Sequence, residues 1–230
     1  MKVIAIGDTH GRSDWKLIVA KNEFDKIVFI GDYFDTHESI SVAQQIYNFK
    51  NICEYKRENI NNVVLLFGNH DFHYMRNINE QYSGFQSTHR FDISEILHKA
   101  LDDDLLQMCY KHNNILFTHA GVTKTWARNN HIDIDNIEES INELFKYKPL
   151  SFMFTVGKNY DNYGNDITQT PIWVRPQSLL EDRIDNYIQV VGHTTVSELR
   201  INKSVILIDA LGTSGEYLQI DNDDKITIMT

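Results

Sequence analysis

The chain has 230 residues, 42% of them hydrophobic and 11% aromatic, enough to bury a sizeable core in one large α/β domain or two small ones. Its formal net charge of −10 argues against a general nucleic-acid or membrane surface, though not against a local basic pocket. Cys53 and Cys109 lack C-x-x-C spacing and read as structural thiols of a reducing compartment. No apolar run reaches transmembrane length, and the N-terminal apolar core is too short for a signal peptide, so a cytoplasmic protein is expected.

Residues 2–6 read as a strand ending in Gly7-Asp8-Thr9-His10-Gly11, then a helix from a Ser13 cap through Trp15, Leu17, Ile18 and Val19. Residues 26–30 read as a second strand, ending in Gly31-Asp32-Tyr33-Phe34-Asp35. Residues 39–58 carry helical periodicity in Val42, Ile46, Phe49 and Cys53. The apolar run 63–67 reads as a buried parallel strand, with Gly68-Asn69-His70-Asp71 at its carboxyl end, where glycine lets the backbone turn. Residues 72–90 are polar and aromatic, with His73, Tyr74, Tyr82, Phe85 and His89, and read as a loop near those strand ends. A helix is expected over 92–101, a strand over 114–117 ending in Thr118-His119-Ala120-Gly121, and a helix over 135–146. Residues 149–171, with Gly157 and Gly164, read as a loop that could form a lid. A fifth strand over 187–191 ends in Gly192-His193-Thr194. Short strands follow at 205–209, 217–220 and 226–229, and Asn222-Asp223-Asp224 predicts a hairpin turn. Strand–helix units first and strands later suit two packed sheets with helices outside, in a single domain over 1–230.

Five strand ends share one form: an apolar run, glycine or threonine, then Asp, Asn or His. In open α/β sheets that end is where ligands bind. Asp8, His10, Asp32, Asn69, His119 and His193 are donors suited to divalent first-row metals. No single stretch carries enough of them for one site, so the fold must gather them. Two metals could share Asp32, because a carboxylate bridges, and such a pair polarises water and clamps phosphoryl oxygens during in-line attack. Each piece alone has a plainer reading: Gly-Asp as a turn, Asn69 as a turn former, a strand-end histidine as a hydrogen-bonded one. Five together outweigh it. His37, His89, His98, His112 and His131 lack this context, and the last four read as surface residues.

The ordered set GDTHG (7–11), GDYFD (31–35), GNHD (68–71), THAG (118–121) and GHTT (192–195) resembles the calcineurin-like metallophosphoesterases. Trp173-Val174-Arg175-Pro176, and Ile208-Asp209 with Gly212 and Gly215, are similar to its branch of phosphoprotein phosphatases and symmetrical diadenosine tetraphosphate hydrolases. The resemblance implies an α/β fold, an αββα sandwich of two mixed β-sheets flanked by helices. It implies two divalent metal ions, manganese first, with iron, zinc or nickel also fitting. Asp8 and His10 would hold the first, Asp32 would bridge, and Asn69, His119 and His193 would hold the second. His70 would protonate the leaving alkoxide or hold substrate, oriented by Asp35, which would raise its pKa. Arg175, Arg12 and Asn69 would bind the substrate phosphate.

The resemblance has departures. Thr36-His37 stands where the phosphatase branch has Arg-Gly, and Phe72-His73-Tyr74-Met75-Arg76 follows GNHD. Two phosphate-gripping arginines are therefore missing or moved, with His37, His73 or Arg76 as replacements. The expected activity is hydrolysis of phosphomonoesters by a metal-bridging hydroxide, in the manner of a serine/threonine protein phosphatase. The alternative is hydrolysis of dinucleoside polyphosphates or nucleic-acid phosphates, with the aromatic loop at 72–91 stacking a base. The expected partner is a phosphorylated substrate, protein or small phosphoester, with no membrane. A metal-blind scaffold would require lost ligands, and none is lost.

Overall fold

The computed structural model describes residues 1–158, 161–202 and 204–230. Short, wholly apolar runs form its centre. Strands β1 (Val3–Ile6), β2 (Lys26–Phe29), β3 (Val63–Leu66) and β4 (Leu106–Gln107) lie side by side in parallel. A second sheet holds β5 (Cys109–His112), β6 (Ile115–Thr118), β7 (Ile188–Val191), β8 (Arg200–Asn202) and β9 (Val205–Leu207) in the order β5-β6-β7-β9-β8, parallel in the middle and antiparallel at both edges. The hairpin of β10 (Tyr217–Ile220) and β11 (Ile226–Met229) returns to the first sheet beside β1. Both sheets are mixed.

Alternation along each strand divides the interior. Val3, Ala5, Val28, Ile30, Val64 and Leu66 face the second sheet, where Ile115, Phe117, Val190 and Ile206 meet them. Ile4, Ile6, Ile27, Phe29, Val63 and Leu65 face outward and are covered by helices α1 (Trp15–Lys21) and α2 (Val42–Glu58) through Trp15, Ile18, Phe49 and Ile52. The result is the expected αββα sandwich. The remaining helices are α3 (Asn69–Phe72), α4 (Arg90–Asp102), α5 (Lys124–Asn129), α6 (Ile137–Tyr147) and α7 (Pro176–Glu181); α4 lies against α2, α6 against β5 and α7 against β9.

Several local expectations are corrected. Ser13 does not cap α1: Asp14 occupies that position in helical conformation, with no side-chain cap. The strong cap belongs to α2, where the Ser41 hydroxyl accepts from Gln44 N and Gln44 returns the bond to Ser41 N. Strands β4, β5 and β8 and helices α3, α5 and α7 lie outside the expected elements. Two of these had readable signals, the Thr123 cap of α5 and Pro176 at the first turn of α7. His112 is buried, not superficial, with Nε2 3.3 Å from Asp224 in the β10–β11 turn. The segment 149–171 packs down rather than standing free, with Phe152, Asp166, Gln169 and Thr170 buried; its residues 159 and 160 lie outside the described residues. No helix among the described residues is long and apolar enough to cross a membrane.

Phe49 lies under the strand-two turn, its ring 4.9 Å from Tyr33 and 5.1 Å from Phe34. Phe49→Ala should cost about 3–5 kcal/mol through lost burial and the cavity left behind, read as a lower urea midpoint.

Candidate metal centre

The parallel strands β1, β2 and β3 of one sheet and β6 and β7 of the other end at the same edge of the sandwich. Asp8, Asp32, Asn69, His119 and His193 lie just beyond those ends or, as with Asp32, in the turn that follows. Asn69 Oδ1 stands 2.9 Å from His119 Nε2 and 2.8 Å from His193 Nδ1. Asp32 Oδ2 is 3.4 Å from His119 Nε2 and 3.9 Å from His10 Nε2. Ligand atoms of Asp8, Asp32 and His119 all lie within 4.8 Å of one another.

The ring hydrogens show what these contacts are. His10 Nδ1 lies 2.8 Å from the Phe34 carbonyl, His119 Nδ1 3.0 Å from that of Ile30, and His193 Nε2 3.1 Å from that of Trp173. A carbonyl only accepts, so each ring donates its single hydrogen there. The opposite nitrogens point at Asp32 and at the Asn69 amide oxygen, and an unprotonated ring presents a bare lone pair there. With the rings unprotonated, acceptors face acceptors in a largely buried site. Divalent cations fit that set, and a carbonyl behind each ring is how metal-bound histidines are oriented.

Charge crowding agrees. Burial pushes the Asp8 carboxyl well up, and the neighbouring Asp209 and Asp32 carboxylates push it further. Asp209, which takes the Thr195 hydroxyl at 2.7 Å, is also raised by burial. Asp32 goes the other way: burial opposes its charge, but His119, His70 and His10 outweigh that and hold it well below the carboxylate range. Burial lowers His10 and, helped by the Arg175 charge, lowers His193 strongly, which keeps both rings neutral.

Backbone geometry is bent to reach this arrangement. His10, Asp32, Asp35 and His193 all have left-handed φ, at 44°, 52°, 60° and 62°, a region that L-residues adopt at a cost and that gathers at functional sites. Gly68 and Gly192 give the room: a Cβ on either would collide with Asp32 Oδ1 or Asp8 Oδ1. Asp71, to which the sequence reading gave no task, holds the turn. It accepts Asp32 N and Gly68 N on Oδ2, each at 2.9 Å, and Tyr33 N on Oδ1 at 2.8 Å. Its only signal was its place as the last residue of GNHD. Gln45 was also missed; it is buried and accepts Asp35 N at 2.9 Å.

His70 stands beside the donors without joining them. Its backbone N–H donates to Asp32 Oδ1 at 2.9 Å, and its Nδ1 is 3.1 Å from Asp35 Oδ2. Burial works against a charged His70 ring, but Asp32 and Asp35 outweigh it and raise its pKa. Arg175 reaches the site: Nη1 donates to the His193 carbonyl (3.3 Å) and to Thr194 Oγ1 (3.1 Å), and Nε to the Tyr163 carbonyl (2.7 Å). Arg12 is tied elsewhere, with Nε and Nη2 on Glu38 Oε1 at 3.0 and 2.5 Å. His37 and Arg76 are exposed, and His73 is buried against Asp35. The aromatic loop is spent on packing: Tyr82 meets Trp173 edge-on at 4.3 Å and Tyr74 stacks on Phe85 at 5.0 Å.

The family model of the calcineurin-like phosphoesterases matches residues 1–198. No curated protein matches the chain. Among solved structures it is similar to a cold-active protein-tyrosine phosphatase of the psychrophile Shewanella sp., at 20% identity and TM-score 0.57, over 100% of this chain and 80% of that one. It is similar to a protein serine/threonine phosphatase from Saccharomyces cerevisiae, at 15% identity and TM-score 0.57, over 100% and 79%. A metallophosphoesterase from Sphaerobacter thermophilus follows, at 14% identity and TM-score 0.54, over 99% and 86%. These likenesses are of fold.

Asp71→Asn would set an amide NH2 against backbone donors. It should cost about 1–3 kcal/mol in urea unfolding. It should also lower the divalent metal bound per chain, measured by elemental analysis, because the Asp32 turn loses its clamp.

Proposed function

The chain belongs to the calcineurin-like phosphoesterase family and is a metal-dependent phosphoric ester hydrolase, and from that premise we propose that it dephosphorylates phosphomonoesters of the phosphoserine and phosphothreonine kind. The observation that carries the reading is the convergence of bare lone pairs from Asp32, Asn69, His119 and His193. Asp8 and His10 are assigned to one cation, Asp32 to both, and Asn69, His119 and His193 to the other. Manganese is the proposed ion; iron, zinc and nickel suit the same donors. Two such cations would neutralise phosphoryl oxygens and acidify a water for in-line attack.

The chain's own residues supply the rest. Arg175, anchored through Nε and Nη1, offers its remaining guanidinium nitrogen to a phosphoryl oxygen. Asn69 is assigned a contact to the same phosphate. Arg12 can share in this only by exchanging Glu38 for the phosphoryl group. His70 donates Nδ1–H to Asp35, which leaves Nε2 to hand a proton to the leaving oxygen. Tyr74, Tyr82 and Phe85 of the aromatic loop are engaged in packing, which leaves the exposed Phe91 as its free ring and favours a phosphomonoester over a dinucleotide. Donors drawn from both sheets, over one shared inter-sheet core, support a single working domain over 1–230. We assign it to the cytoplasm, where its two buried cysteines stay reduced.

Hydrolysis of p-nitrophenyl phosphate should vanish with a chelator and return with manganese; folded protein inactive with every divalent metal would sink the proposal. Phosphoserine peptide should be turned over faster than diadenosine tetraphosphate or bis-p-nitrophenyl phosphate, and the reverse order would move the assignment to nucleotides. Asp32→Asn should lower the occupancy of both cations together. His70→Asn should keep metal content and lower kcat by about 10²–10⁴; metal lost from that variant would make His70 a ligand.

A further inference from the structure

Outside the six proposed donors, one fully buried titratable ring has no task. His73 is 0% exposed. It stacks on Tyr82 at 5.0 Å and meets Tyr74 and Phe85 edge-on at 4.4 and 4.8 Å. Tyr82 N–H donates to His73 Nδ1 at 3.3 Å, so that nitrogen holds a lone pair. The ring's one hydrogen is therefore on Nε2, and burial keeps the ring neutral. Nε2 lies 2.6 Å from Asp35 Oδ2, too poorly aligned for a hydrogen bond, and makes none among the described residues.

Asp35 is held from every side. Oδ2 also takes His70 Nδ1–H, Oδ1 takes the Tyr74 hydroxyl at 2.5 Å, and its backbone N–H is fixed by Gln45. Tyr74 Oη in turn accepts Gln86 N at 2.7 Å. A Cβ on Gly84 would stand 3.1 Å from Asp35 Cβ, so Gly84 lets the 82–86 loop pack against the Asp35 main chain and Cβ. Asp35, His70 and His73 also have the spacing of a three-ligand cation site. The hydrogens exclude it, because a cation on His73 Nε2 would move the ring hydrogen to Nδ1, against Tyr82 N–H.

We propose that His73 is a positioning residue for the hydrolytic step. The Tyr74 hydroxyl holds Oδ1 and the His73 Nε2–H packed beside Oδ2 restrains the other oxygen, so that Oδ2 stays aimed at His70 Nδ1. The Cβ–Cγ torsion of an aspartate is broad, and without Nε2–H the carboxylate can turn away. The inference rests on His70 as the acid. In that step the oxygen of a deprotonated water gives an electron pair to phosphorus as the P–O bond on the far side breaks, that bond's electron pair goes to the leaving oxygen, and that oxygen takes the proton from His70 Nε2. His70 is left neutral with its hydrogen on Nδ1, held by Asp35.

The test compares two substrates on the manganese-loaded enzyme. p-Nitrophenolate departs without a proton, whereas phenolate from phenyl phosphate needs one. His70→Asn should slow phenyl phosphate far more than p-nitrophenyl phosphate. His73→Phe, which keeps the stacking, should repeat that bias with about a 10-fold loss of kcat on phenyl phosphate and little on p-nitrophenyl phosphate. KM and bound metal should stay unchanged, and His73→Gln, which restores an N–H, should recover the rate. The His70→Asn, His73→Phe double variant should be no slower than His70→Asn alone. Should His73→Phe not fold, Tyr74→Phe carries the same expectation from the other oxygen. Equal losses on both substrates, or additive losses in the double variant, overturn the role of His73. Absence of bias in His70→Asn overturns the assignment of His70 instead.

Discussion

Lone pairs that meet without a hydrogen between them are the constraint on which this structure turns. Asn69 Oδ1 has an imidazole nitrogen at 2.8 Å and another at 2.9 Å, and backbone carbonyls have already taken both rings' hydrogens. A buried polar atom left unpaired costs about 1–3 kcal/mol, and acceptors set against one another are worse than unpaired. Strained backbone at His10, Asp32, Asp35 and His193 adds a cost of about 1–3 kcal/mol for each. A sequence that keeps all of this has to recover the expense from the divalent cations proposed for the site and from the two cores on either side of the first sheet.

The sandwich is what lets distant residues meet. Alternation sends Ile4, Ile27 and Val63 to the helices and Val3, Val28 and Val64 to the other sheet, so the central strands are fixed on both faces. Fixed strands have fixed ends. Asp71 then ties the Asp32 turn to the end of β3 through three backbone N–H groups, and Trp173 and Arg175 wrap His193 from the outside. Rigidity of the donors comes from these contacts, not from the donors themselves.

What was legible in the sequence follows the same division. The apolar runs with a polar residue at their carboxyl end announced β1, β2, β3, β6 and β7, and with them the gathering of Asp8, Asp32, Asn69, His119 and His193. Two-residue β4 and the exposed β8, Arg-Ile-Asn, carry no apolar pattern, because an edge needs none. His112 looked superficial because its partner, Asp224, is more than a hundred positions away. Gln45 was hidden in a helical period, where an amide reads as solvated surface until a turn is laid against it. Periodicity reports which face is buried. It cannot report which buried polar group serves a neighbour's backbone.

The departures from the phosphatase pattern become intelligible on this footing. Where an arginine would follow GDYFD, the chain has Thr36-His37-Glu38, and Glu38 closes on Arg12. Fewer free guanidinium groups surround the proposed phosphate position, so more of the anion's charge must be met by the cations and by Arg175. Where the segment after GNHD would bring another arginine, it brings His73 and Tyr74, both turned inward on Asp35. Burial alone would push that carboxyl up, yet the donors from His70, His73 and Tyr74 hold it below its ordinary range. The substitution therefore moves emphasis from gripping the phosphate to fixing His70, the proposed acid. A placed proton matters most for esters whose leaving oxygen is a poor one, the class to which the proposed substrates belong.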